Sequence, residues 1–417
     1  MKVAVIGAGI VGVTTAWELS RDGHEVDVFE RRASVAAEAS FANAGIVAPG
    51  CVVPWTAPLP LRRAWRPATL RWWWRRRRAA VPARQAAHRA ALLQLARMSR
   101  DRLHAIAREL RIDYERCSGV LLLLRTRDDV ARARPALKTL AELGVPFRLI
   151  DAAQCRSIEP GLSAETPLLA GVHLHDDEVG NCPQLAHALR SKAQQRGARF
   201  HLHSEVHAIE PGVGPRLAHR PVDGGNAASR LADSLASAPV PGTDAFDAIV
   251  VCTGASAQAL LRPHRLRLPL LAVHGYSVTA PLRQFEAFPE AGPQSALIDQ
   301  RFDVTISRIG NRVRVAGGWN LRGAASDLDT SAIETLYRVL HDWYPGMAQL
   351  DQALRWQGTC AMLPDGMPIV GASGLGGIWL NLGHGTQGWA LACGSARLLA
   401  DAIGGRRSDT FAVDRVA

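Results

Sequence analysis

The residues with the clearest chemical potential form a short glycine-rich motif near the start of the chain. Gly7, Gly9 and Gly12 stand in a G-x-G-x-x-G pattern between a β-branched apolar run and an amphipathic stretch. The first glycine permits a tight turn, the second lets backbone approach a pyrophosphate, and the third lets a helix pack closely on a strand. The start of that helix offers free N–H groups to phosphates. The motif therefore predicts a dinucleotide site.

A carboxylate at the end of the second predicted strand narrows the choice of dinucleotide. Glu30 follows Gly12 by 18 residues, where a carboxylate can accept hydrogen bonds from ribose hydroxyls. A 2′-phosphate would meet this carboxylate at close range, so Glu30 disfavours NADP. Glu30 does not by itself separate NAD from FAD.

Two further segments favour FAD. The small-residue loop SFANAG at residues 40–45 follows the second predicted strand and suits close backbone approach to a flat ring. Near the other end, NLGHGTQGW at residues 381–389 places glycines before a helix whose N-terminus can face an electron-rich ring edge. An NAD enzyme has no need of such a C-terminal turn returning to the N-terminal fold. We therefore expect FAD and no metal.

The elements that must position these residues follow from the apolar pattern. A strand, a helix and a second strand make a βαβ start, and a strand, a turn and a helix close the chain. The middle alternates like an antiparallel sheet, so we expect an α/β chain of two interleaved domains. The main expected segments are strands at 2–6, 25–30 and 378–381, helices at 10–21, 85–110 and 389–403, an antiparallel sheet within 268–320, an irregular excursion at 51–90 and a surface insertion at 211–244.

Composition bounds the class of protein. The 417 residues are 47% apolar and 21% charged, which is typical of a folded chain rather than a disordered one. The seven cysteines are scattered and form no C-x-x-C pair, which argues against a disulfide framework or a zinc ribbon and fits a reducing compartment. No run of 18 uncharged apolar residues occurs, so we expect no membrane-spanning helix and a cytoplasmic location.

Several motifs, taken in order along the chain, resemble one enzyme family. They are the N-terminal fingerprint, SFANAG…APG at 40–50, the Thr253-Gly254 turn, LPDGMPIVG at 363–371 and NLGHGTQGWALACGSARLLAD at 381–401. Together they resemble the D-amino acid dehydrogenases of the FAD-dependent glycine/D-amino acid oxidoreductase superfamily. The resemblance covers essentially the whole chain apart from residues 211–244.

The resemblance implies a fold and a reaction. The fold is a Rossmann-type FAD-binding domain interleaved with an α+β substrate domain on a mixed, largely antiparallel sheet. The reaction is hydride transfer from the substrate Cα to flavin N5, giving an imine that hydrolyses to a 2-oxo acid and ammonia, with electrons passed to a quinone or other respiratory acceptor. We assign residues 1–55, 150–265 and 345–417 to the FAD-binding domain, and 56–149 and 266–344 to the substrate domain.

The resemblance also assigns residues to the cofactor. Most lie in the fingerprint, the small-residue loop and the C-terminal glycine turn. The expected FAD-binding residues are Val3, Ile6, Gly7, Ala8, Gly9, Ile10, Val11, Gly12, Glu30, Arg31, Ser40, Asn43, Ala44, Gly45, Val206, Thr253, Gly254, Gly383, Gly385 and Thr386.

The candidate substrate pocket departs from the family pattern at two positions. Many members carry an arginine five residues before the Asp of the PDG turn, as the anchor of the substrate carboxylate, whereas this chain has Cys360. Phe302 stands where members often have tyrosine. Arg301, Arg308 and Arg355 are the candidate replacement cations. The departures leave open a cyclic or N-substituted substrate, such as a D-hydroxyproline, D-proline or sarcosine-like compound.

Three of the pocket candidates can each be interpreted in two ways. Cys360 is either a covalent flavin anchor or, as is usual for a small thiol, a buried lining residue. Tyr276 either donates a hydrogen bond to the substrate or packs as a half-buried sheet tyrosine. We expect His384, at the start of the last helix, to position groups rather than to act as a base, so no catalytic acid or base is assigned.

Positive charge is concentrated in one segment. The chain has a net charge of +11, and residues 62–111 hold fifteen arginines against two acids. Within it, Trp72-Trp73-Trp74 precedes four consecutive arginines, a combination that suits an anionic membrane surface on the inner face of a bacterial plasma membrane. The alternative is tryptophans packed on the substrate domain beside a solvated arginine face. An RNA- or membrane-binding flavoprotein remains a lesser alternative, although no nucleic-acid module is recognisable.

Overall fold

The computed structural model describes residues 1–52, 67–222, 241–283, 292–321 and 328–406. In chain order the strands of this part are β1 (Lys2–Ile6), β2 (Glu25–Phe29), β3 (Ile46–Val47), β4 (Cys117–Leu124), β5 (Arg148–Asp151), β6 (Ala170–Val179), β7 (Arg199–His201), β8 (Ser204–Glu210), β9 (Arg216–Pro221), β10 (Gly242–Ala245), β11 (Ala248–Val251), β12 (Leu271–Pro281), β13 (Ala296–Asp299), β14 (Val304–Ile309), β15 (Arg312–Asn320), β16 (Leu354–Met362), β17 (Ile369–Ala372) and β18 (Ile378–Leu382). The α-helices are α1 (Ile10–Arg21), α2 (Pro67–Ala79), α3 (Pro82–Leu110), α4 (Arg127–Glu142), α5 (Ala152–Ile158), α6 (Cys182–Gln195), α7 (Ala257–Leu261), α8 (Thr330–Trp343) and α9 (Gly388–Ile403).

A six-stranded sheet carries the N-terminal motif at its centre. Its strand order is β17-β18-β11-β1-β2-β7, and every neighbouring pair except β17 and β18 is parallel. The central strands are mostly apolar because both faces of the sheet are covered, one by α1, α6 and α9 and the other by β8, β9 and α7. The chain leaves β1 towards β2 and later returns on the other side of β1 as β11. The strand order therefore reverses at the carboxyl end of β1, which is where ligands bind in open α/β sheets.

A nine-stranded sheet forms the second body of the chain. It runs β16-β12-β15-β14-β13-β4-β6-β3, with β5 added beside β6, and only β13 and β4 pair in parallel. Helix α8 packs its apolar face on β12 and β15, and Trp343 is fully buried there. The expected α/β architecture with a mixed, largely antiparallel second sheet is confirmed.

A layer of helices joins the two bodies. Helix α1 packs between α6 and α9, and α3 runs along α9. The crossing of α3 and α9 is close, since a Cβ on Gly394 would lie 2.9 Å from the Cβ of Ser99 and 3.0 Å from the backbone oxygen of Leu95. Through this crossing, α3 is held against the helix that follows the C-terminal glycine turn.

The segment expected to be irregular contains two helices, so that expectation is wrong for its described part. Residues 67–79 form α2, and α3 begins at Pro82 rather than near residue 85. Each helix opens on a proline, at a position where the missing N–H leaves no intrahelical bond unmade. Alanine and arginine are good helix formers, and they outweigh the tryptophans. Residues 53–66, and with them the start of the basic segment at 62–66, lie outside the described residues.

The expected surface insertion and the domain boundaries also differ in detail. Strands β9 and β10 pair with β8 in a three-stranded antiparallel sheet, so residues 216–221 and 242–245 are strands; 223–240 lie outside the description. Strands β5, β6 and β16 pair within the nine-stranded sheet, although residues 150–265 and 345–417 were assigned to the FAD-binding domain. The chain crosses between the two bodies at the ends of these strands.

Candidate active site

The glycine motif forms a tight cradle at the switch point of the six-stranded sheet. Gly7 has φ +97°, a conformation that favours glycine, and its amide donates to the backbone oxygen of Phe29 at 2.8 Å. A Cβ on Gly12 would lie 1.8 Å from the oxygen of Gly7. Helix α1 starts after Gly9, an N-cap residue with no side chain to accept from the first turn. Its first turn thus offers N–H groups to an anion at the end of β1.

The carboxylate of Glu30 closes one side of this cradle. Its Oε2 accepts from the backbone N–H of Ala8 at 2.7 Å, and its Oε1 accepts from that of Arg32 at 2.8 Å. Burial raises the pKa of Glu30, against the opposing effect of these two donors. The side chain therefore lies beside the turn where a ribose would follow a pyrophosphate.

The loop at residues 40–45 is held from both bodies of the chain. On one side, Ser40 Oγ accepts from the N–H of Ile10 at 3.1 Å. On the other side, the buried Arg314 donates from Nη1 to the backbone oxygen of Asn43 at 3.1 Å. The indole of Trp389 donates to the oxygen of Gly45 at 3.0 Å. The small-residue loop is thereby fixed between the cradle, the second sheet and α9.

The C-terminal glycine corner lies next to the first βαβ unit. Strand β18 pairs in parallel with β11, and Asn381 donates from Nδ2 to Thr15 Oγ1 on α1 at 3.0 Å. Gly383 and Gly385 have φ of +82° and +59°. A Cβ on Gly383 would lie 2.5 Å from the Leu363 side chain, so the turn is packed against the PDG segment. Two glycine-rich turns, from opposite ends of the sequence, thus meet at one edge of the sheet.

A cavity of about 590 Å³ opens beside this corner. One wall is built from residues of the 44–52 loop and from the 383–387 corner, and a second from residues of β12, β13, β15 and the β13–β14 turn. A third wall comes from α2 and α3 and includes Arg76, His88 and Arg89. Aromatic contributions are Phe302 and Trp319. The cavity therefore lies between the cradle edge, the second sheet and the two arginine-rich helices.

Comparison with known proteins assigns the family. Residues 2–402 match the family of FAD dependent oxidoreductases named DAO. The chain is 37% identical over 437 residues to a D-amino acid dehydrogenase of Rhizorhabdus wittichii, covering 100% of both chains. It is 37% identical over 423 residues to a D-amino acid dehydrogenase of Phenylobacterium zucineum, covering 97% of this chain and 94% of that one. The chain belongs to the DAO family of FAD-dependent oxidoreductases.

A solved structure shares the fold of this chain. The structure of glycine oxidase from Geobacillus kaustophilus superposes with a TM-score of 0.75 at 22% identity, covering 98% of this chain and 95% of that chain. Such a likeness at low identity shows shared architecture. It agrees with the two interleaved sheets described above.

The residues present fit the FAD of a DAO oxidoreductase. The hydroxyl of Thr253, which follows β11 at the switch point, is buried without a hydrogen-bond partner in the described part of the chain. A Cβ on Gly9 would meet only Ser40 Oγ, at 3.5 Å, so the space in front of this glycine is open to a pyrophosphate. The cradle, the 40–45 loop and the 383–386 corner would hold the cofactor across the edge of β1, β11 and β18.

The other residues assigned to FAD lie around this edge at varying distances. Val3 and Ile6 are buried within β1, and Ala8 and Val11 belong to the cradle and the first turn of α1. Arg31 is exposed and pairs with Glu38 at 2.6 Å, which leaves its guanidinium turned to a surface carboxylate. The remaining members are Val206 on β8, Gly254 after β11, and Ala44 and Thr386 in the cavity wall.

Only two of the six pocket candidates line the cavity. Phe302 does so from the β13–β14 turn, with the guanidinium of Arg125 5.0 Å from its ring centre. His384 does so from the glycine corner, where its Nε2 lies 3.0 Å from Ser395 Oγ. Burial lowers the pKa of His384 to about 4. The imidazole is therefore neutral at pH 7, as a positioning residue would be.

The other candidates point elsewhere. Tyr276 is buried in the core between the second sheet and α8, and its hydroxyl accepts from Asn320 Nδ2 at 3.0 Å. Arg308 donates to the backbone oxygens of Gly310 and Pro293, and Arg301 is exposed. Successive side chains of a strand point to opposite faces of the sheet. Tyr276 and Arg308 therefore lie on the face opposite to Val273 and Thr305, which line the cavity.

Arg355, the third candidate replacement for the missing arginine, and Cys360 itself also lie outside the cavity lining. Arg355 is exposed and donates to the Tyr337 hydroxyl at 3.1 Å. Cys360 pairs across the sheet with Val273, which does line the cavity, and burial raises the pKa of the Cys360 thiol to about 12. None of the arginines proposed from sequence therefore lines the cavity. The lining arginines that sequence reasoning missed are Arg76, on a helix in the segment expected to be irregular, and Arg89 on α3.

A buried carboxyl beneath the cavity gives a pH-dependent prediction. Asp177 accepts from the N–H of Gly50 at 3.1 Å, and burial raises its pKa to about 7. The folded state thus holds this proton more tightly than the unfolded chain. Its stabilising contribution is complete below the unfolded-state pKa of about 3.9 and is lost as pH rises through about 7.

Asp177→Asn should accordingly stabilise the protein more at pH 8 than at pH 5. The amide stays neutral and can still accept from Gly50, so the gain between these pH values should be about 2 kcal/mol. Urea unfolding at both pH values measures it. Asp351→Asn, at an exposed aspartate that does not act on the pKa of Asp177, is the control. An equal effect of Asp177→Asn at pH 5 and pH 8 would show that the carboxyl is not protonated in the folded state.

Proposed function

We propose that this protein is a D-amino acid dehydrogenase that oxidatively deaminates D-amino acids to 2-oxo acids and ammonia. The proposal is carried by one observation: the two glycine turns meet at the carboxyl ends of β1, β11 and β18, directly beside a cavity of about 590 Å³. It is supported by full-length relatives that bear this name at 37% identity. FAD, when bound, supplies the acceptor for the hydride of the substrate Cα.

The residues of this chain position the substrate and exclude water from the reacting carbon. Phe302 and Trp319 supply apolar surface to the cavity, which shields the reacting carbon. His384 is neutral and its Nε2 is engaged by Ser395, so we assign it the fixing of the corner between β18 and α9. Orientation of the substrate against the flavin is then the main contribution of the protein.

Anaerobic reduction of the bound flavin tests the reaction. D-Alanine or another D-amino acid should bleach the flavin absorbance without oxygen, a quinone analogue should restore it, and the matching 2-oxo acid and ammonia should accumulate. L-Alanine is the control for stereochemistry. Protein purified without flavin, or flavin that no D-amino acid reduces, would contradict the proposal.

A secondary amine is the second candidate substrate class, because Cys360 stands where the family arginine is expected. D-Proline, cis- and trans-hydroxy-D-proline and sarcosine should be compared with D-alanine in the same reduction assay. Higher kcat/KM for an imino acid would move the substrate class to secondary amines. Turnover of D-alanine well above all of them would exclude that class.

The outer face of α2 supports a peripheral contact with an anionic membrane. Leu70 and Trp74 are 50% and 57% exposed. Arg71, Arg75, Arg77 and Arg78 are exposed beside them, and α2 holds no acidic residue. Trp72, by contrast, is buried and donates from Nε1 to the backbone oxygen of Met362 at 3.2 Å. In the part of the chain that the structure describes, no helix has the length and hydrophobicity to span a bilayer.

We therefore propose that α2 rests on anionic lipid and brings the enzyme to a quinone. Arg75→Gln combined with Arg78→Gln should weaken binding to vesicles of phosphatidylcholine and phosphatidylglycerol about 30-fold, at about 1 kcal/mol for each arginine. Cosedimentation measures it. Arg127→Gln with Arg134→Gln, two exposed arginines of α4, is the matched control. Equal binding by both double variants would refute a membrane role for α2.

A further inference from the structure

Two side chains of opposite charge line the same cavity, and among the described residues neither forms an ion pair. Arg76 extends from the inner face of α2, and Asp303 from the turn between β13 and β14. Within the described residues, no acid pairs with the Arg76 guanidinium, which lies 5.6 Å and 5.9 Å from the ring centres of Trp72 and Trp73. Likewise, no donor in this part of the chain bonds the Asp303 carboxylate. Partly buried charges are ordinarily paired. Each of these two side chains therefore suits a ligand group of the opposite charge.

The fold holds each of these residues in place at some cost. Asp303 has φ +52°, in the left-handed region, and its backbone oxygen abuts Gly317, where an added Cβ would come within 2.7 Å. Burial raises the pKa of Asp303 and lowers that of Arg76, so each environment opposes the charged form of its side chain. Bound groups of opposite charge would relieve both penalties.

The other charged groups of the cavity are less available. Arg89 donates from Nη1 to Thr139 Oγ1 at 3.4 Å, outside the cavity. Asp365 accepts from the N–H of Met367 at 3.1 Å within its own turn. His384 is neutral and engaged by Ser395. Among the described charged residues of the lining, Arg76 and Asp303 are thus the two of opposite charge for which no side-chain hydrogen bond competes with a ligand.

We propose that Arg76 binds the substrate carboxylate and that Asp303 binds the cationic nitrogen of the substrate. The site therefore selects a zwitterion, with the carboxylate towards α2 and the nitrogen towards the β13–β14 turn. Before the hydride leaves Cα, the ammonium gives one proton to the Asp303 carboxylate, so that the neutral amine is the group that becomes the imine. This inference rests on the proposed function and assigns its substrate-binding residues. It also accounts for Cys360, because a cation supplied by a helix makes an arginine on β16 unnecessary.

Three small ligands separate the two contacts in the holoenzyme. Propionate carries only the carboxylate, D-alaninamide only the cationic nitrogen, and D-alanine both. Propionate binding is followed by flavin absorbance and thermal shift, and D-alanine and D-alaninamide are compared by thermal shift on holoenzyme whose flavin has first been chemically reduced, so that no reading depends on turnover. Arg76→Met should weaken propionate and D-alanine about 10- to 100-fold, the range of one or two charge-assisted hydrogen bonds, and leave D-alaninamide within about threefold. Arg76→Lys should restore part of the loss.

Asp303→Asn should give the opposite pattern. It should weaken D-alanine and D-alaninamide about 10-fold or more and spare propionate. Asparagine tolerates the left-handed backbone at this position, so the turn should keep its shape. Arg77→Met on the exposed side of α2 and Asp351→Asn at the surface are the controls, and neither should change any of the three affinities.

The outcomes are distinguishable. Equal loss of all three ligands in either variant, or no binding of propionate and D-alaninamide to the wild type, would overturn the inference. A shifted flavin midpoint potential in Arg76→Met without ligand discrimination would make Arg76 a flavin contact instead, which also overturns it. Wild-type flavin that no D-amino acid reduces, together with the crossed binding pattern, would refute the proposed reaction and leave the two assignments standing.

Discussion

Gly12→Ala should abolish FAD binding and destabilise the fold by about 3 kcal/mol or more, the upper end of the cost of overpacking. The added Cβ would lie 1.8 Å from the backbone oxygen of Gly7 and 2.9 Å from its carbonyl carbon. Neither atom can rotate away, so α1 must move off β1. Because this contact forms the cradle, its N–H groups would no longer point at the same phosphate position. Flavin content of the purified protein and urea unfolding measure the two effects.

Two other glycine variants separate these effects. Gly212→Ala adds a Cβ with no atom within 4 Å and should leave flavin content and stability unchanged. Gly9→Ala meets only Ser40 Oγ at 3.5 Å, so the apoprotein should be as stable as the wild type while the pyrophosphate is obstructed. A Gly12→Ala protein that retains full flavin and wild-type stability would show that α1 is not packed on β1 as described.

The cofactor side of the molecule was predictable because its signals are local and its geometry is generic. A glycine motif between a strand and a helix specifies a cradle, and parallel strands bring their carboxyl ends to one edge. Strand β18 is followed by glycines, and as a parallel neighbour of β11 it brings them to the same edge of the sheet as the N-terminal motif. The expected α/β class, the family and the FAD cofactor are confirmed on these grounds.

The substrate side was not predictable to the same degree, because its residues come together only through tertiary packing. Arg76 lies among four consecutive arginines, and only the burial of Trp72 against Met362 turns this one inward. Asp303 itself has a left-handed backbone conformation, and the alternating pattern of the strands does not predict such a residue at the cavity. The absence of the family arginine directed the search to Arg301 and Arg308. Both lie close in sequence to the cavity residues Phe302 and Thr305, but neither of them lines the cavity.

Glu18 supports the largest stability prediction outside the cradle. This glutamate of α1 is fully buried, and its carboxylate accepts from Arg102 Nε at 2.6 Å, from Arg102 Nη2 at 2.8 Å and from Arg397 Nη1 at 2.6 Å. It therefore joins α1 to α3 and α9 at one point. Removing one partner of a buried ion pair costs about 3–5 kcal/mol when the remaining charge loses its counter-charge. Arg102 would lose Glu18 in this way, whereas Arg397 keeps Asp22 and Asp401. Glu18→Gln should destabilise the protein by about the lower of these values.

Glu109→Gln is the matched control, since Glu109 pairs with Arg21 at 3.7 Å with both side chains more than a third exposed. Exposed pairs contribute about 0–1 kcal/mol, so this variant should unfold within about 0.5 kcal/mol of the wild type. Glu18 lies two turns beyond the cradle, so Glu18→Gln should retain FAD in the folded fraction, unlike Gly12→Ala. Equal destabilisation by the two glutamate variants would mean that the three helices are held by their apolar contacts alone.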